Sequence, residues 1–288
     1  MNLNKGAVVV DGTVGSGGHA KEILRMIGPE GRLIGLDQDP SSIERARETL
    51  GNALQVSLHH ENFESLGKIL DVLNIPLVDA VILDVGFSSD QIEDPMRGFS
   101  FERPGPLDMR MNPDAPVRAG DLINDLSQDE LVRIFREYGQ ERQAERFAGA
   151  ICERREQRPF ETTDDLAQVI EGCLPRSLRF EKGRRPAWMR RHPATRVFQA
   201  LRIAVNRELD VLRTSLPLIW GRLKPGGRLA VITFHSLEDK IVKEIFRGLK
   251  QAGDAVLVTK KPLVASREEQ RMNPRSRSAE LRVAERIK

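Results

Sequence analysis

Three aspartates each end an apolar run of the kind that forms a buried strand: Asp11 ends AVVVD, Asp37 ends RLIGLD and Asp84 ends DAVILD. The first run leads directly into a glycine-rich turn, DGTVGSGGH over residues 11–19, and then into a helical pattern. Glycines between a strand and a helix let the backbone approach a ligand, and the helix N-terminus offers N–H groups without a partner in the helix. This arrangement predicts a binding site for a nucleotide-like cofactor.

The glycine turn by itself fits two classes of cofactor. Gly15-x-Gly17-x-x-Ala20 matches the dinucleotide fingerprint, so an NAD-dependent oxidoreductase is one alternative. Asp11 favours S-adenosylmethionine, because a carboxylate there attracts the cationic methionine part and would repel a pyrophosphate. Asp37 is placed to accept hydrogen bonds from both ribose hydroxyls, a role that either cofactor could use. The Lys224-Pro-Gly-Gly turn is common in methyltransferases.

The segment after the third aspartate reads Asp84-Val-Gly-Phe87-Ser88-Ser89. Enzymes that methylate exocyclic amines often carry Asp-Pro-Pro-Tyr here, where an acceptor holds the amine and the ring stacks on the base. Asp84 and Phe87 take the matching positions, and both prolines are missing. The exocyclic amino group of a nucleobase is conjugated with its ring and is a poor nucleophile, so an acceptor is needed to aim its lone pair at the sulfonium methyl group. Asp84 and Ser88 are therefore the candidate catalytic residues, and the rest of the catalysis is expected to be positioning of the two reactants.

A further candidate segment follows the predicted fifth strand. In an open α/β sheet the ligand site lies beyond the carboxyl ends of the strands, and His235 and Ser236 arrive at this edge. They either contact the substrate or hydrogen-bond the loop, and the sequence does not decide between the two. Five scattered histidines and two distant cysteines form no metal-ligand pattern, so no metal is expected.

Strand and helix patterns alternate in the first half of the chain, which predicts a parallel sheet. The predicted strands are Ala7–Asp11, Arg32–Asp37, Leu54–His59, Asp79–Asp84, Arg228–Phe234, Ala255–Lys260 and Ala279–Ile287. Apolar residues three or four apart from Phe198 to Leu216 predict one long helix that covers the sheet. Seven strands, of which the last two can form a hairpin, match the class I (Rossmann-like) methyltransferase sheet in an α/β fold.

The residues between the predicted fourth and fifth strands differ from those around them. Residues 86–116 are rich in Gly, Pro, Ser and Asp and predict a long ordered loop, and from Asp121 the pattern is helical and polar. We therefore predict a discontinuous methyltransferase domain over 1–105 and 193–288. The inserted helical domain, 106–192, is the expected RNA-recognition domain.

Positive charge is concentrated near the end of this insertion. Residues 176–196 hold eight basic side chains and one acid, a net charge of +7, so the remainder of a chain of net +3 carries −4. Phosphate is the natural counterpart of such a concentration, and Phe180 and Trp188 could stack on unpaired bases. The alternative is a solvated loop whose arginines pair with acids elsewhere. The candidate RNA-binding residues are Arg184, Arg185, Arg190 and Arg191.

Composition narrows the class of protein. The 288 residues are 40% hydrophobic and 30% charged, which fits a globular protein with an ample core. No apolar run approaches the roughly 20 residues of a membrane span, and the first residues lack the pattern of a secretory signal. Two isolated cysteines suggest reduced thiols, so we expect a cytoplasmic protein without membrane contact.

Several longer motifs make the sequence specific. They are Asp11-Gly-Thr with Gly17-Gly18-His19, Asp94–Phe101 (DPMRGFSF), Gly105–Met111 (GPLDMRM), His192–Ile203 (HPATRVFQALRI), Phe234–Asp239 (FHSLED) and Asn273–Ala279 (NPRSRSA). In these motifs and their order the chain resembles, over nearly all its length, the ribosomal RNA small-subunit methyltransferase H family (RsmH, also called MraW). That family methylates N4 of a cytidine in the decoding region.

The resemblance implies a cofactor, a partner and a set of site residues. The cofactor is S-adenosylmethionine, and the partner is 16S rRNA or the small ribosomal subunit. The implied cofactor-binding residues are Gly17, Gly18, His19, Asp37, Phe63, Asp84 and Gln91. Asp108 and Arg110 lie in a family-specific loop, where they either order the substrate side or form a structural ion pair. A non-catalytic ribosome-binding factor that kept the fold is a further alternative.

Overall fold

The computed structural model describes residues 1–51, 53–174 and 192–288. Within this part of the chain, eight strands form one sheet in the order β3-β2-β1-β4-β5-β8-β6, and β7 pairs with β8. The strands are β1 Val8–Asp11, β2 Arg32–Asp37, β3 Val56–His60, β4 Val78–Asp84, β5 Leu223–Thr233, β6 Ala255–Leu257, β7 Leu263–Val264 and β8 Glu280–Arg286.

The helices of the described residues alternate with the strands in the first part of the chain and follow one another in the middle. They are α1 Gly18–Ile27, α2 Pro40–Leu50, α3 Leu66–Val72, α4 Ser89–Glu93, α5 Ala119–Asp125, α6 Gln128–Glu137, α7 Ala144–Arg155, α8 Thr163–Gly172, α9 Ala194–Asn206, α10 Glu208–Gly221, α11 Ser236–Gln251 and α12 Arg267–Met272. None of them is long and apolar enough to cross a lipid bilayer.

The first five strands are parallel to one another, and β8 runs antiparallel between β5 and β6. Strands β1, β2 and β4 are short and almost continuously apolar, as expected for strands that are covered on both faces. Ala20, Ile23 and Ile27 of α1 pack with Val9 and Leu33 in one buried cluster. Because β1, β2 and β4 are parallel neighbours, their last residues meet at one edge of the sheet.

The fifth strand begins earlier than predicted, at Leu223 instead of Arg228. Its register against β4 shifts between Val78 and Ala80, where the partner changes from Leu223 to Arg228. The Lys224-Pro-Gly-Gly turn is therefore a bulge inside the strand, and Gly226 has a φ of 79° that favours glycine.

Contacts divide the chain into two compact units: Met1–Gly86 with Leu209–Lys288, and Phe87–Glu208. The first unit holds the sheet. The second is helical, and its apolar core includes Phe135 and Phe147, which are almost fully buried. The described residues of the predicted insertion, 106–174 and 192, lie within the second unit, and the assignment of 106–192 to RNA recognition stays a prediction.

The glycine- and proline-rich stretch at the start of the second unit contains helical turns as well as loop. Residues 89–93 form α4 and Pro95–Arg97 form a 3-10 helix, so the long ordered loop predicted over 86–116 is interrupted by these two helical segments. The motifs Asp94–Phe101 and Gly105–Met111 pack closely against each other. A Cβ on Gly98 would lie 2.2 Å from the carbonyl oxygen of Pro106, and a Cβ on Gly105 would lie 1.8 Å from the carbonyl oxygen of Pro95. Only glycine fits at either position.

The prediction of one long helix over 198–216 was wrong. Arg207 has a left-handed conformation (φ 51°, ψ 32°), which ends α9 and separates it from α10. Asn206 is engaged by the backbone of the preceding loop, since its Nδ2 donates to the carbonyl of Met109 and its Oδ1 accepts from the amide of Met111. The apolar spacing continues across the break because both helices bury an apolar face.

Candidate cofactor and active site

The glycine turn after β1 is fastened to two neighbouring strands. The amide of Gly12 donates to the carbonyl of Ile82 in β4 (2.9 Å), and the amide of Val14 donates to the carbonyl of Leu36 in β2 (2.8 Å). Gly15 and Gly17 have positive φ angles of 53° and 88°. The backbone of the turn therefore has a conformation that is unfavourable for residues with a Cβ atom.

Helix α1 begins at Gly18, immediately after the turn. Gly17 is its N-cap and supplies no side-chain hydrogen bond. Gly18 is exposed, and a Cβ built on it would meet no atom of the described residues within 4 Å. The start of this helix thus presents backbone N–H groups beside open space, which suits a polar ligand.

Asp37 links the glycine turn to the next loop. Its Oδ2 accepts from the amide of Gly15 (2.9 Å), and its Oδ1 accepts from the amide of Asp39 (2.9 Å). Burial raises the pKa of Asp37 above its ordinary value, although these two hydrogen bonds act in the opposite direction. A carboxylate oxygen has room for a second donor, so the contact with Gly15 is compatible with the predicted contact to a ribose.

Asp11 is fully buried at the end of β1. Its Oδ1 accepts from the amide of Thr13 (3.2 Å), and its Oδ2 has no hydrogen-bond partner among the described residues. Burial raises the pKa of Asp11 to about 7; the hydrogen bond from Thr13 lowers it, and the nearby charges of Asp84 and Asp37 raise it further. A buried acceptor without a donor costs free energy, which a cationic or N–H-bearing ligand would recover.

Asp84 lies at the end of β4, next to the glycine turn. Its backbone amide donates to the hydroxyl oxygen of Thr13 (2.7 Å), and its Oδ2 is 3.9 Å from Nδ1 of the half-exposed His19. Its Oδ1 is buried without a hydrogen-bond partner in the described part of the chain. Burial raises the pKa of Asp84, His19 lowers it and Glu238 raises it.

The structure therefore brings together the three strand-end carboxylates predicted from the sequence. Two of them, Asp11 and Asp84, carry a buried oxygen without a donor among the described residues, and the charge of Asp84 is close enough to raise the pKa of Asp11. Repulsion of this kind is relieved by a bound cation. S-adenosylmethionine carries a sulfonium and an amino group, so the residues present fit that cofactor and oppose a pyrophosphate.

Phe63 lies beside the same turn. It begins a short 3-10 helix, Phe63–Ser65, and is partly exposed. A Cβ on Gly12 would be 3.2 Å from the Cβ of Phe63 and 2.5 Å from Cδ2 of Leu83. The sequence left two interpretations of Phe63 open, a contact with adenine and a position in the core. Its position beside the glycine turn is compatible with a contact to adenine.

His235 caps the helix that follows β5. Its Nδ1 accepts from the amide of Glu238 (3.4 Å), and the Glu238 carboxylate accepts from the amides of Phe234 and His235 at 2.8 and 3.2 Å. The structure thus shows His235 in hydrogen bonds with the first turn of α11. Contact of His235 or Ser236 with substrate stays a prediction.

Ser88 and Gln91 belong to the second unit, where they form the capping box of α4. Ser88 Oγ accepts from the amide of Gln91 (3.2 Å), and Gln91 Oε1 accepts from the amide of Ser88 (2.9 Å). Gln91 is buried. These contacts are structural, and the predicted catalytic role of Ser88 and cofactor contact of Gln91 stay predictions.

The aromatic ring predicted to stack on a base is engaged within the second unit. Phe87 stacks on Phe99 with ring centroids 5.6 Å apart, and the guanidinium carbon of Arg202 lies 4.6 Å from the Phe87 centroid. Arg202 is in turn held by a bidentate contact with Glu208 at 2.8 and 3.0 Å. Stacking of Phe87 on a target base stays a prediction.

Asp108 and Arg110 form a bidentate ion pair, with N–O distances of 2.9 and 2.7 Å. Burial acts to raise the pKa of Asp108, but the hydrogen bonds and charge of Arg110 outweigh it and hold the pKa below its ordinary value. Arg110 also donates to the carbonyl of Ala115 (2.7 Å). Of the two readings of this loop, the structure shows the ion pair. The four candidate RNA-binding arginines, Arg184, Arg185, Arg190 and Arg191, lie outside the described residues.

Sequence reasoning missed the part played by Thr13. Its amide donates to Asp11 and its hydroxyl accepts from Asp84, so this one residue connects two of the three carboxylate-bearing strand ends. The first contact has a sequence signal, since an aspartate commonly accepts from the amide two residues on. The second joins residues 71 apart and has none.

The comparison with protein families decides between the cofactor classes. The MraW methylase family model matches residues 1–287. The chain belongs to the MraW methylase family. It is a methyltransferase with S-adenosylmethionine as cofactor, and the α/β class I methyltransferase fold predicted from the sequence is confirmed.

Curated relatives of the family cover almost the whole chain. Proteins named ribosomal RNA small subunit methyltransferase H from Syntrophotalea carbinolica and Heliobacterium modesticaldum are 47% and 44% identical over 298 residues. Each alignment covers 98% of this chain, and 92% and 93% of the respective relative.

The two solved structures described next are similar to this chain in fold but distant from it in sequence. An rRNA methylase from Streptococcus thermophilus has a TM-score of 0.44 at 11% identity and covers 99% of this chain and 90% of that one. Aeropyrum pernix fibrillarin in complex with S-adenosylmethionine has a TM-score of 0.41 at 10% identity, covering 99% of this chain and 68% of that one.

Proposed function

We propose that this enzyme methylates N4 of a cytidine in the decoding region of 16S ribosomal RNA. The family membership and the names of the relatives support ribosomal RNA of the small subunit as the substrate. We propose that the enzyme acts on this substrate in the cytoplasm. The observation that carries the chemistry is the Asp84 carboxylate: it lies at the end of β4 beside the glycine turn, with a buried oxygen that lacks a donor.

Different residues of the first unit are proposed to bind different parts of S-adenosylmethionine. Asp11 faces the cationic methionine part of the cofactor, and Asp37 accepts from the ribose hydroxyls. Phe63 packs on the adenine side of the turn, and the N–H groups at the start of α1, at Gly18 and His19, face the polar part of the ligand. When bound, S-adenosylmethionine supplies the electrophilic methyl group.

Asp84 acts on the amine that accepts this methyl group. Its carboxylate accepts a hydrogen bond from the exocyclic N–H of cytosine, which localises the nitrogen lone pair and aims it at the methyl carbon. The methylated nitrogen must lose one proton. Asp84 can accept it, because burial raises the pKa of this carboxyl and makes it a better base than an exposed aspartate.

The helical insertion, 106–192, is proposed to bind the RNA that carries the target nucleotide, and the methyltransferase domain is proposed to comprise 1–105 and 193–288. The basic segment 176–196 begins inside the insertion and extends four residues past its end in the sequence. Ser88 and Gln91 at the start of the second unit are proposed to contact substrate and cofactor.

The proposal is tested by methyl transfer to small ribosomal subunits from a strain that lacks the enzyme. Labelled S-adenosylmethionine should place label on one cytidine, and digestion to nucleosides should recover N4-methylcytidine derivatives. Label at a ring carbon or on another base would overturn the N4 assignment. Binding to the subunits without transfer would favour the non-catalytic ribosome-binding factor.

Asp84→Asn is the matched variant for the chemical step. It keeps the shape of the side chain, removes the charge and supplies no base, so turnover at saturating substrates should fall by about 10²–10⁴-fold. Unchanged turnover in a variant that still binds cofactor would show that Asp84 neither holds the amine nor takes its proton.

A further inference from the structure

A second concentration of positive charge lies in the first unit, far along the chain from the basic segment of the insertion. Residues 260–277 hold six basic and two acidic side chains. Five of the basic residues are exposed, and their side chains form no ion pair or hydrogen bond with the described residues. We call these five the β7–α12 basic surface: Lys260, Lys261, Arg267, Arg271 and Arg277.

The sheet places this surface at the edge that carries Asp84. Strand β7 pairs with the beginning of β8 through Val264 and Glu280, and Glu280 also pairs with Thr233 at the carboxyl end of β5. Strand β5 in turn lies beside β4, where Asp84 pairs with Ile232. Neighbouring strands are about 4.8 Å apart, so the beginning of β8 is about 10 Å from the end of β4 within the sheet.

The segment that carries the charges is held in shape by its own hydrogen bonds. Ser266 caps α12 by accepting from the amide of Glu269 (3.1 Å), and Gln270 Nε2 donates to the carbonyl of Ala265 (2.9 Å). The buried Ser276 donates to the carbonyl of Asn273 (2.7 Å). An ordered surface loses little conformational entropy when it binds a partner.

The arrangement of charge differs from that of an ordinary solvated face. Two arginines on the neighbouring strands β5 and β8 are paired with acids: Arg282 with Asp239, and Arg228 with Glu285. The two acids of the segment, Glu268 and Glu269, stand in the first turn of α12, where they complement the helix dipole. The five cations therefore have no paired counter-charge within the described part of the chain. Three exposed apolar side chains accompany them: Leu263, Val264 and Met272.

We propose that the β7–α12 basic surface binds the phosphate backbone of the substrate RNA next to the target nucleotide. The proposal rests on the proposed function, since RNA must run along this edge for a base to reach Asp84. Arg267 and Arg271, one helical turn apart on α12, would contact neighbouring phosphates. Phosphate contacts position a strand without reading its sequence, so this surface holds the RNA and leaves the choice of nucleotide to other residues.

The test is the salt dependence of binding to protein-free 16S rRNA and to unmethylated small subunits. Replacing Arg267, Arg271 and Arg277 by alanine should reduce the slope of log affinity against log salt by about 2, at about 0.7 for each phosphate contact with a single strand. Lysine at the same three positions keeps the charge and should retain most of the slope. Lys260→Ala with Lys261→Ala, in a loop outside the helices, provides a second variant.

The matched control removes three exposed basic residues from the opposite edge of the sheet: Lys5, Arg247 and Lys250. Lys5 precedes β1, and the other two stand at the end of α11, which returns to the amino edge. This variant should keep the slope of the wild type. Cofactor affinity and melting temperature should be equal in all variants, because none of these residues lies in the glycine turn.

The outcomes distinguish a failure of the RNA-binding proposal from a failure of the proposed function. If the wild type methylates the subunits and the alanine variants keep its slope on both substrates, the surface does not bind RNA. A loss confined to assembled subunits would show that it meets a ribosomal protein, and the RNA proposal is then overturned. A wild type that methylates no ribosomal RNA contradicts the proposed function itself.

Discussion

Asp11 should make cofactor binding depend on pH in the neutral range. Its carboxyl is fully buried and its pKa is raised to about 7, chiefly by that burial. Near pH 7 about half of the cofactor-free molecules therefore hold a neutral Asp11. If the cationic methionine part requires the ionised carboxylate, only the other half is ready to bind, and a proton is released as binding proceeds.

The size of the effect follows from this pKa. The apparent Kd is multiplied by one plus the ratio of protonated to ionised Asp11, which is about 1.1 at pH 8 and about 11 at pH 6. Affinity should thus be roughly tenfold weaker at pH 6, or about 1.4 kcal/mol. Asp11→Asn has no such proton, so its affinity should be weaker at pH 8 by about ten- to a hundredfold and should lack this dependence.

Calorimetry at pH 6, 7 and 8 on both proteins measures the effect. The amino group of the ligand also titrates, and the difference between wild type and Asp11→Asn isolates the contribution of residue 11. Two proteins with the same pH dependence would refute the role of Asp11 as a charged contact to the cofactor.

The stability of the cofactor-free protein provides an independent check with a defined sign. Because the pKa of Asp11 is higher in the folded than in the unfolded state, its contribution to the free energy of unfolding is fully present below pH of about 4 and declines as the pH rises to about 7. The decline is on the order of 4 kcal/mol for a pKa shift of about 3. Asp11→Asn should remove this component, which urea unfolding at pH 5 and 8 would show.

Three further substitutions test other contacts of the site. Asp37→Ala should weaken S-adenosylmethionine binding about ten- to a hundredfold, and unchanged affinity by calorimetry in a folded variant would exclude the ribose contact. Thr13→Val removes the acceptor for the Asp84 amide and should lower kcat/KM roughly five- to a hundredfold, whereas Thr13→Ser should stay near wild type; equal activities would show that the bond is dispensable. Arg110→Gln leaves Asp108 half-buried without its bidentate partner and should cost about 2–3 kcal/mol of unfolding free energy in urea, and a loss below about 0.5 kcal/mol would contradict this.

The sheet and its ligand-bearing edge were predictable because both depend on local patterns. Short apolar runs that end in Asp11, Asp37 and Asp84 identify parallel strands, and parallel strands bring their last residues to one edge. The glycine turn follows from the same logic. These predictions needed only the order of residues within about ten positions.

The features that were not predicted from the sequence depend mainly on contacts between distant residues or on a single backbone angle. The break at Arg207 leaves the apolar spacing intact, so periodicity does not reveal it. Thr13 meets Asp84 only after β1 and β4 have paired. The helix at 89–93 had a local signal that was overlooked, since Ser88 and Gln91 have the spacing of a capping box.

The place of the second unit in the chain has a consequence for synthesis on the ribosome. Strand β4 lies in the interior of the finished sheet, but its neighbour β5 is translated about 140 residues later, which takes roughly 7–28 s at about 5–20 residues per second. Until then β4 is hydrogen-bonded to β1 along one edge only, and the other edge of its sequence VDAVILD has no strand to pair with. Unpaired apolar edges are templates for aggregation. The nascent chain therefore passes through an interval in which a four-stranded half-sheet needs protection, and fragments that end before Leu223 should be insoluble without a chaperone.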